Sequence, residues 1–146
     1  MVAVVKKWYG KYRAFVVDVN DPEKRGRIRV KCPKVLREAK SSWCEPCIPV
    51  AYDYGGDFCM PRINEAIWVE FEDGDVKYPI WSGGWWARDK SPLTDYSDVT
   101  KVRVIEYNGV RIDLKENSLV LSMGGNIILE IQPDEINSSV VINTPD

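Results

Sequence analysis

The chain has 146 residues, 45% hydrophobic and 29% charged, which fits one folded domain with a short appendage and excludes a disordered chain. It contains no histidine, so neither a Ser-His-Asp or Cys-His nucleophile nor a His-ligated catalytic zinc can be built. The net charge of −2 hides an asymmetry: residues 1–45 carry 12 Lys/Arg against 5 Asp/Glu, and residues 46–146 carry 8 against 17.

A basic first third suits a phosphate backbone or an acidic partner, and equally a plain solvated strand face. The opening "MVAVVKKWYGKYR" puts a short apolar patch before its charges, the reverse of a signal peptide, so folding in the cytoplasm is expected. Residues 1–11 read as a separate N-terminal segment.

Strand patterns follow. "YRAFVVDV" (12–19) is rich in β-branched and aromatic residues. "NDPEKRG" (20–26) is a turn, punctuated by Pro22 and Gly26. In "RIRVKCP" (27–33), Ile28, Val30 and Cys32 alternate with Arg27, Arg29 and Lys31, the pattern of a half-buried antiparallel strand. Residues 34–42 suit one helical turn or a loop. "CEPCIPVAY" (44–52) is extended but broken by Pro46 and Pro49, and residues 53–66 form a loop with one short strand. "IWVEFEDGD" (67–75) alternates again, with Ile67, Val69 and Phe71 against Trp68, Glu70 and Glu72, and "KYPIWSGGWWA" (77–87) closes the group. Five short strands in this span predict a small β-barrel, because closure removes exposed edges.

Residues 88–107 then read as a linker, polar at "RDKSPLTDYSDVTK". From 108 the chain becomes repetitive, with short strands broken at Asn, Gly, Pro or Asp about every nine residues. Apolar residues alternate within them: Val110, Ile112 and Leu114; Leu119, Leu121 and Met123; Ile127, Leu129 and Ile131; Val140 and Ile142. About 40 residues of alternating strand bury too little surface to make a core alone. This stripe is expected to be covered by other copies of itself or by the barrel.

Four cysteines, Cys32, Cys44, Cys47 and Cys59, leave three readings open. They are small buried apolar residues, a zinc site built around "CEPC", or a disulfide pair. The carboxylates Glu70, Glu72, Asp73 and Asp75 cluster on a strand end and turn, which sets no acid against a base across a cleft. "WSGGWW" (81–86) reads as an aromatic ligand platform or as packing at a barrel end. Trp68, Trp81, Trp85 and Trp86 are taken as packing or subunit-contact residues, with Gly83 and Gly84 letting the strand bend sharply or another backbone approach.

The order "FVVDVNDPEKRGRIRVKCP", "WCEPCIPV" and "INEAIWVEFEDGDVKYPIWSGGWW" resembles the oligomer-binding (OB) barrel of the phage baseplate assembly protein V family, over residues 12–87. That family includes the central spikes of contractile-tailed phages and type VI secretion spikes. Where many members carry glycine before the "EVWVEF"-like strand, this chain has Asn64, which also tolerates positive φ. "YNGVRIDLKENSLVLSMGGNIILEI" (107–131) is similar to the start of the family's stem.

The resemblance implies an all-β protein: a five-stranded OB-fold barrel followed by a short trimeric β-helix or β-prism stem over 108–146. It implies a homotrimeric central spike in the virion tail baseplate, assembled in the host cytoplasm, with no enzymatic activity and no cofactor or metal. The barrel would dock under a tail hub protein, with the basic N-terminal strands toward it. A separate tip-capping protein would sit at the C-terminal end, and a membrane would be met only as the puncture target. A different class of function is an OB-fold module binding single-stranded nucleic acid or oligosaccharide, through Arg27, Arg29 and Lys31 beside Trp81, Trp85 or Trp86. The acidic balance of 46–146 counts against it.

Overall fold

A computed structural model describes residues 6–133 and the backbone of 138–142. The strands are β1 (Tyr12–Asp18), β2 (Arg29–Lys31), β3 (Glu45–Pro46), β4 (Ala51–Tyr52), β5 (Gly55–Gly56), β6 (Ala66–Phe71), β7 (Pro79–Gly84), β8 (Val102–Tyr107), β9 (Val110–Lys115), β10 (Leu119–Met123), β11 (Asn126–Pro133) and β12 (Ser138–Ile142). A single helical turn, α1 (Pro33–Leu36), follows β2. The chain divides into two compact units, Met1–Ala87 and Arg88–Asp146.

In the first unit the strands lie in the order β2-β1-β6-β7-β3. All neighbours are antiparallel except β3 and β7. The sheet curls until its outer edges meet. Two antiparallel bridges, Ile28↔Cys44 and Lys31↔Lys40, tie the β2 edge to the segment that runs into β3. Ile28 N–H donates to the Cys44 carbonyl at 3.3 Å, and Cys44 N–H to that of Ile28 at 2.8 Å. The sheet thus closes on itself and spends its edge hydrogen bonds internally.

The period-two alternation decides what lies inside. Ala14 and Val16 from β1, Ile28, Val30 and Cys32 around β2, and Ile67, Val69 and Phe71 from β6 form one core with Cys44 and Trp81, none more than 6% exposed. Asn64 sits at φ +69° in the turn before β6, where its N–H donates to the Val16 carbonyl. Gly83 has φ +92° beside an irregularity in the β6–β7 pairing, and a Cβ on Gly84 would crowd the Ala66 carbonyl. The two glycines therefore provide both the bend and the close backbone approach expected of them.

The second unit is an antiparallel meander in the order β12-β11-β10-β9-β8. Two of its hairpins turn on paired residues with positive φ, Asn108–Gly109 (+51°, +79°) and Gly124–Gly125 (+57°, +85°). These are tight turns whose twist matches that of the flanking strands. The linker expectation for 88–107 is corrected here. Val102–Tyr107 is a strand paired along its length with β9, because "VRVIEY" itself alternates and can extend the ladder.

Candidate functional site

In a protein built of two β units the candidate sites are surfaces, and each begins with how local sequence fixes it. The turn 20–27 is organised around Asp21. Its carboxylate accepts from the N–H groups of Glu23 (3.0 Å), Arg25 (2.8 Å) and Arg27 (3.3 Å), and from the Arg27 guanidinium at 3.1 and 2.6 Å. The Arg27 guanidinium, foremost, holds the Asp21 carboxyl well below the usual carboxylate range. Glu23 adds a second carboxylate to Arg27 at 2.9 Å.

This corrects the reading of Arg27 as a free cation beside Arg29 and Lys31. Strand alternation points it outward, but the turn folds over it and leaves it buried. Arg29 is also engaged, donating from Nε to the Ser41 carbonyl at 2.9 Å.

Trp81 points into the barrel. It is 5% exposed, its indole N–H donates to the Gly26 carbonyl at 3.1 Å, and Phe58 meets its ring edge-on. Gly26 has φ +76° and lies so close under Phe58 that a Cβ there would overlap the ring. The other aromatics of the opening motif face elsewhere. Trp68, on the outward face of β6, lies 6.2 Å from Trp85 between ring centroids, and Phe15 lies 5.9 Å from Trp85. The Arg13 guanidinium lies over Trp85 at 4.6 Å and near Trp68 at 5.7 Å. Trp86 is 62% exposed. The nucleic-acid arrangement is therefore split: Trp81 is core, Arg27 is neutralised, and Trp85 is stacked against Arg13. Arg13 and Phe15 were not singled out in the sequence, although the alternation of "YRAFVV" already places them on one face.

Two of the cysteines, Cys32 and Cys44, share the barrel core, and the other two, Cys47 and Cys59, lie outside it and are exposed; all four are free thiols. Burial pushes the Cys32 thiol up and the Cys44 thiol up to about 11. Among the described residues, no group of three or more His, Cys, Asp and Glu is arranged to hold a metal ion. The carboxylates of 70–75 disperse as well: Glu70 pairs with Lys11 at 2.9 Å, and Asp75 accepts from the Lys77 N–H.

The second sheet has two unlike faces. On one, Arg111 and Asp113 of β9 are joined at 2.9 Å, and Val120 lies opposite Asp113. Residues of the same unit cover the Arg111 end. Arg111 donates to the Tyr96 hydroxyl at 2.6 Å and to the Pro92 carbonyl at 3.4 Å. Asp113 and Val120 are buried. The stretch 92–96 is thus a strap laid on this face, a role the sequence signals only through its lone Tyr96.

The opposite face carries the alternating apolar set. The ladder sets Leu121 between Ile112 and Leu129, Leu119 between Leu114 and Ile131, and Met123 across from Val110. Ile127 departs from the expected set: the pairing irregularity brings it opposite Ser122, which pairs with Arg111, so the register places it with the strap side and sets Asn126 across from Met123. Ile105 and Tyr107 of β8 extend the row. Val110, Leu114, Met123, Ile127 and Ile131 are exposed in the single chain, Met123 at 56%. Backbone register sets Ile142 opposite Leu129 and Val140 opposite Ile131, while their side chains lie outside the described residues.

No curated protein matches the chain. A family model does match, over residues 12–86, just over half of the chain: the type VI secretion system/phage-baseplate injector OB domain. The matched span covers β1 to β7, the closed barrel, and contains the Asp21–Arg27 turn and the Trp81 plug. A domain of that family suggests a structural role in a baseplate. By its barrel, this chain belongs to the phage-baseplate and type VI secretion injector OB-domain family.

Proposed function

We propose that the protein is a homotrimeric central spike of a contractile-tail baseplate, whose barrels dock under the tail hub and whose second sheet forms the stem that helps puncture the target envelope. One observation carries the reading. The second sheet covers one face with its own strap and leaves the other as a continuous apolar surface. An apolar face of this extent is stable in water when another surface removes it from solvent.

Three copies related by a threefold axis bury three such faces against one another. Each chain's strands pair in their own antiparallel ladder, so the stem takes the prism form, with one sheet per side and its axis lined by residues such as Ile112, Leu121 and Leu129. In that arrangement the Arg111–Tyr96 strap lies outside. The function is mechanical: a hydrogen-bonded prism with a dry axis transmits thrust along its length without local opening. A separate tip-capping protein closes the C-terminal end, the membrane is met only as the target of the stroke, and assembly takes place in the host cytoplasm.

Light scattering on the full chain tests this. The expected mass is three times that of one chain, and Leu121→Asp, in the middle of the apolar face, reduces it to one. A wild-type chain that remains monomeric at all accessible concentrations overturns the reading.

A further inference from the structure

Two surface features of the barrel unit present side chains that the core does not use, and their chemistry is complementary. The first is basic. Lys31, Lys34, Arg37 and Lys40 are all exposed, with Glu38 the one acid inside the run 31–40. Lys31 and Lys40 stand directly opposite each other across an antiparallel bridge. Like charges in that position repel, so the pairing is unfavourable until an acidic surface covers it. Among the described residues none of these four cations makes an ion pair, although Lys34 lies 5.9 Å from the centre of the Tyr12 ring.

The second feature is the β4–β5 hairpin with its flanks, residues 50–58. It presents Val50, Tyr52, Tyr54 and Phe58 to solvent, Tyr52 at 70%, with Asp53 and Asp57 between them. Its shape is built rather than slack. Asp57 N–H donates to the Val50 carbonyl at 3.0 Å. A Cβ on Gly55 would overlap the Tyr52 ring, and one on Gly56 the Val50 carbonyl. Its base is fixed by the Cys47 N–H bond to the Trp81 carbonyl and by Phe58 against Trp81. Tyrosines on a rigid support, ringed by charge, have the composition of an interface centre.

We infer that these two features bind each other between copies: the aromatic hairpin of one protomer docks on the Lys31–Lys40 face of the next. The inference rests on the homotrimer reading and adds to it a contact outside the stem. The hairpin and the basic face are different surfaces, so the contact is head-to-tail, and repetition around a threefold axis closes it into a ring. The fit comes from the opposite charges of the two surfaces, with Asp53 and Asp57 covering Lys31 and Lys40 and the tyrosines filling the centre.

The experiment uses the full chain, mixed in nitrogen-14 and nitrogen-15 forms and treated with a carbodiimide, which joins a carboxylate to a lysine amine only where the two touch. The expected products are peptides of mixed isotope linking Asp53 or Asp57 to Lys31, Lys34 or Lys40. The pair K31E/K40E removes them, as does D53K/D57K alone, which alters only the exposed hairpin. Combining all four substitutions restores a mixed-isotope link with the reactive groups exchanged. Light scattering is recorded on the same samples. A trimer without these links overturns the hairpin contact and leaves the spike reading standing, whereas a monomer overturns both.

Discussion

The barrel and the second sheet are written in the same code and solve the same problem differently. In both, apolar and polar residues alternate along short strands. In the barrel, curvature turns every apolar face inward, and ten residues from four strands and their connections share one core. In the second sheet the strands run as a meander, and among the described residues only Val120 and Asp113 are buried, both on the face that also carries the strap. Alternation therefore says which residues need cover. The closure of the strands decides whether a chain provides that cover by itself.

The largest expected effect separates the two faces of the second sheet. Val120→Asp puts a carboxylate on the buried face, where an uncompensated charge costs several kcal/mol, and should unfold the second unit in any oligomeric state. Leu121→Asp, one residue along and on the opposite face, should leave the monomer's circular dichroism unchanged and remove only the assembly. Equal loss of far-ultraviolet signal in the two variants would break the distinction between a covered and an uncovered face.

Next comes the barrel core. Ile28 is fully buried at the seam where the sheet closes, so Ile28→Ala removes packing and leaves a cavity. The expected loss is about 2–5 kcal/mol, read as a lower denaturation midpoint of the barrel transition. Leu114→Ala on the exposed face should cost the folded monomer well under 1 kcal/mol, and a comparable loss at both positions would show that the second sheet covers its apolar face within one chain.

Much of the barrel was legible because its signals are local. Ile28, Val30 and Cys32 alternate, and all three are buried. Asn64 and Gly83 stand where the chain needs positive φ, and both have it. What was not legible came from one segment folding over another. Alternation placed Arg27 with Arg29 and Lys31, since it counts faces and takes no account of a turn closing on one of them. It takes the Asp21 carboxylate, with three backbone N–H groups and a guanidinium around it, to show that "NDPEKRGR" is an ionic knot centred on Asp21. The strap escaped for the same reason. Nothing in "SPLTDYSDV" announces that Tyr96 will meet Arg111 fifteen residues later. The five residues "VRVIE" at 102–106 did carry the strand signal, but polar neighbours masked it. Trp81 and Trp85 looked equivalent in "WSGGWW", and only the turn at Gly83 sends one into the core and the other onto Arg13.

The remaining effects are smaller and concern the thiols, which the two environments of the barrel set apart. Cys44 is protonated in the folded core up to about pH 11, against 9.0 for the unfolded group. Its folded pKa is raised, so the stability it contributes is fully present below pH 9 and is lost as pH rises toward 11. Equilibrium unfolding followed across that range should show a loss of roughly 2–3 kcal/mol that Cys44→Ala does not share. A flat profile in the wild type would mean that the thiol ionises as freely inside the barrel as outside it.

The smallest change leaves stability untouched and reads exposure alone. A thiolate is the reacting species, so a chromogenic disulfide reagent at neutral pH should find Cys47 and Cys59 quickly. It should reach Cys32 and Cys44 only as fast as the barrel opens. Denaturant should bring all four to one rate. Docking of the hairpin on a neighbouring protomer also bears on this measurement, because Cys59 lies one residue beyond the segment proposed to be covered. Its reaction should therefore slow with rising protein concentration, while Ile28→Ala should speed the reaction of Cys32 and Cys44 and leave Cys47 unchanged. Four thiols in one small barrel thus report on two boundaries: the one between core and water, and the one between one copy and the next.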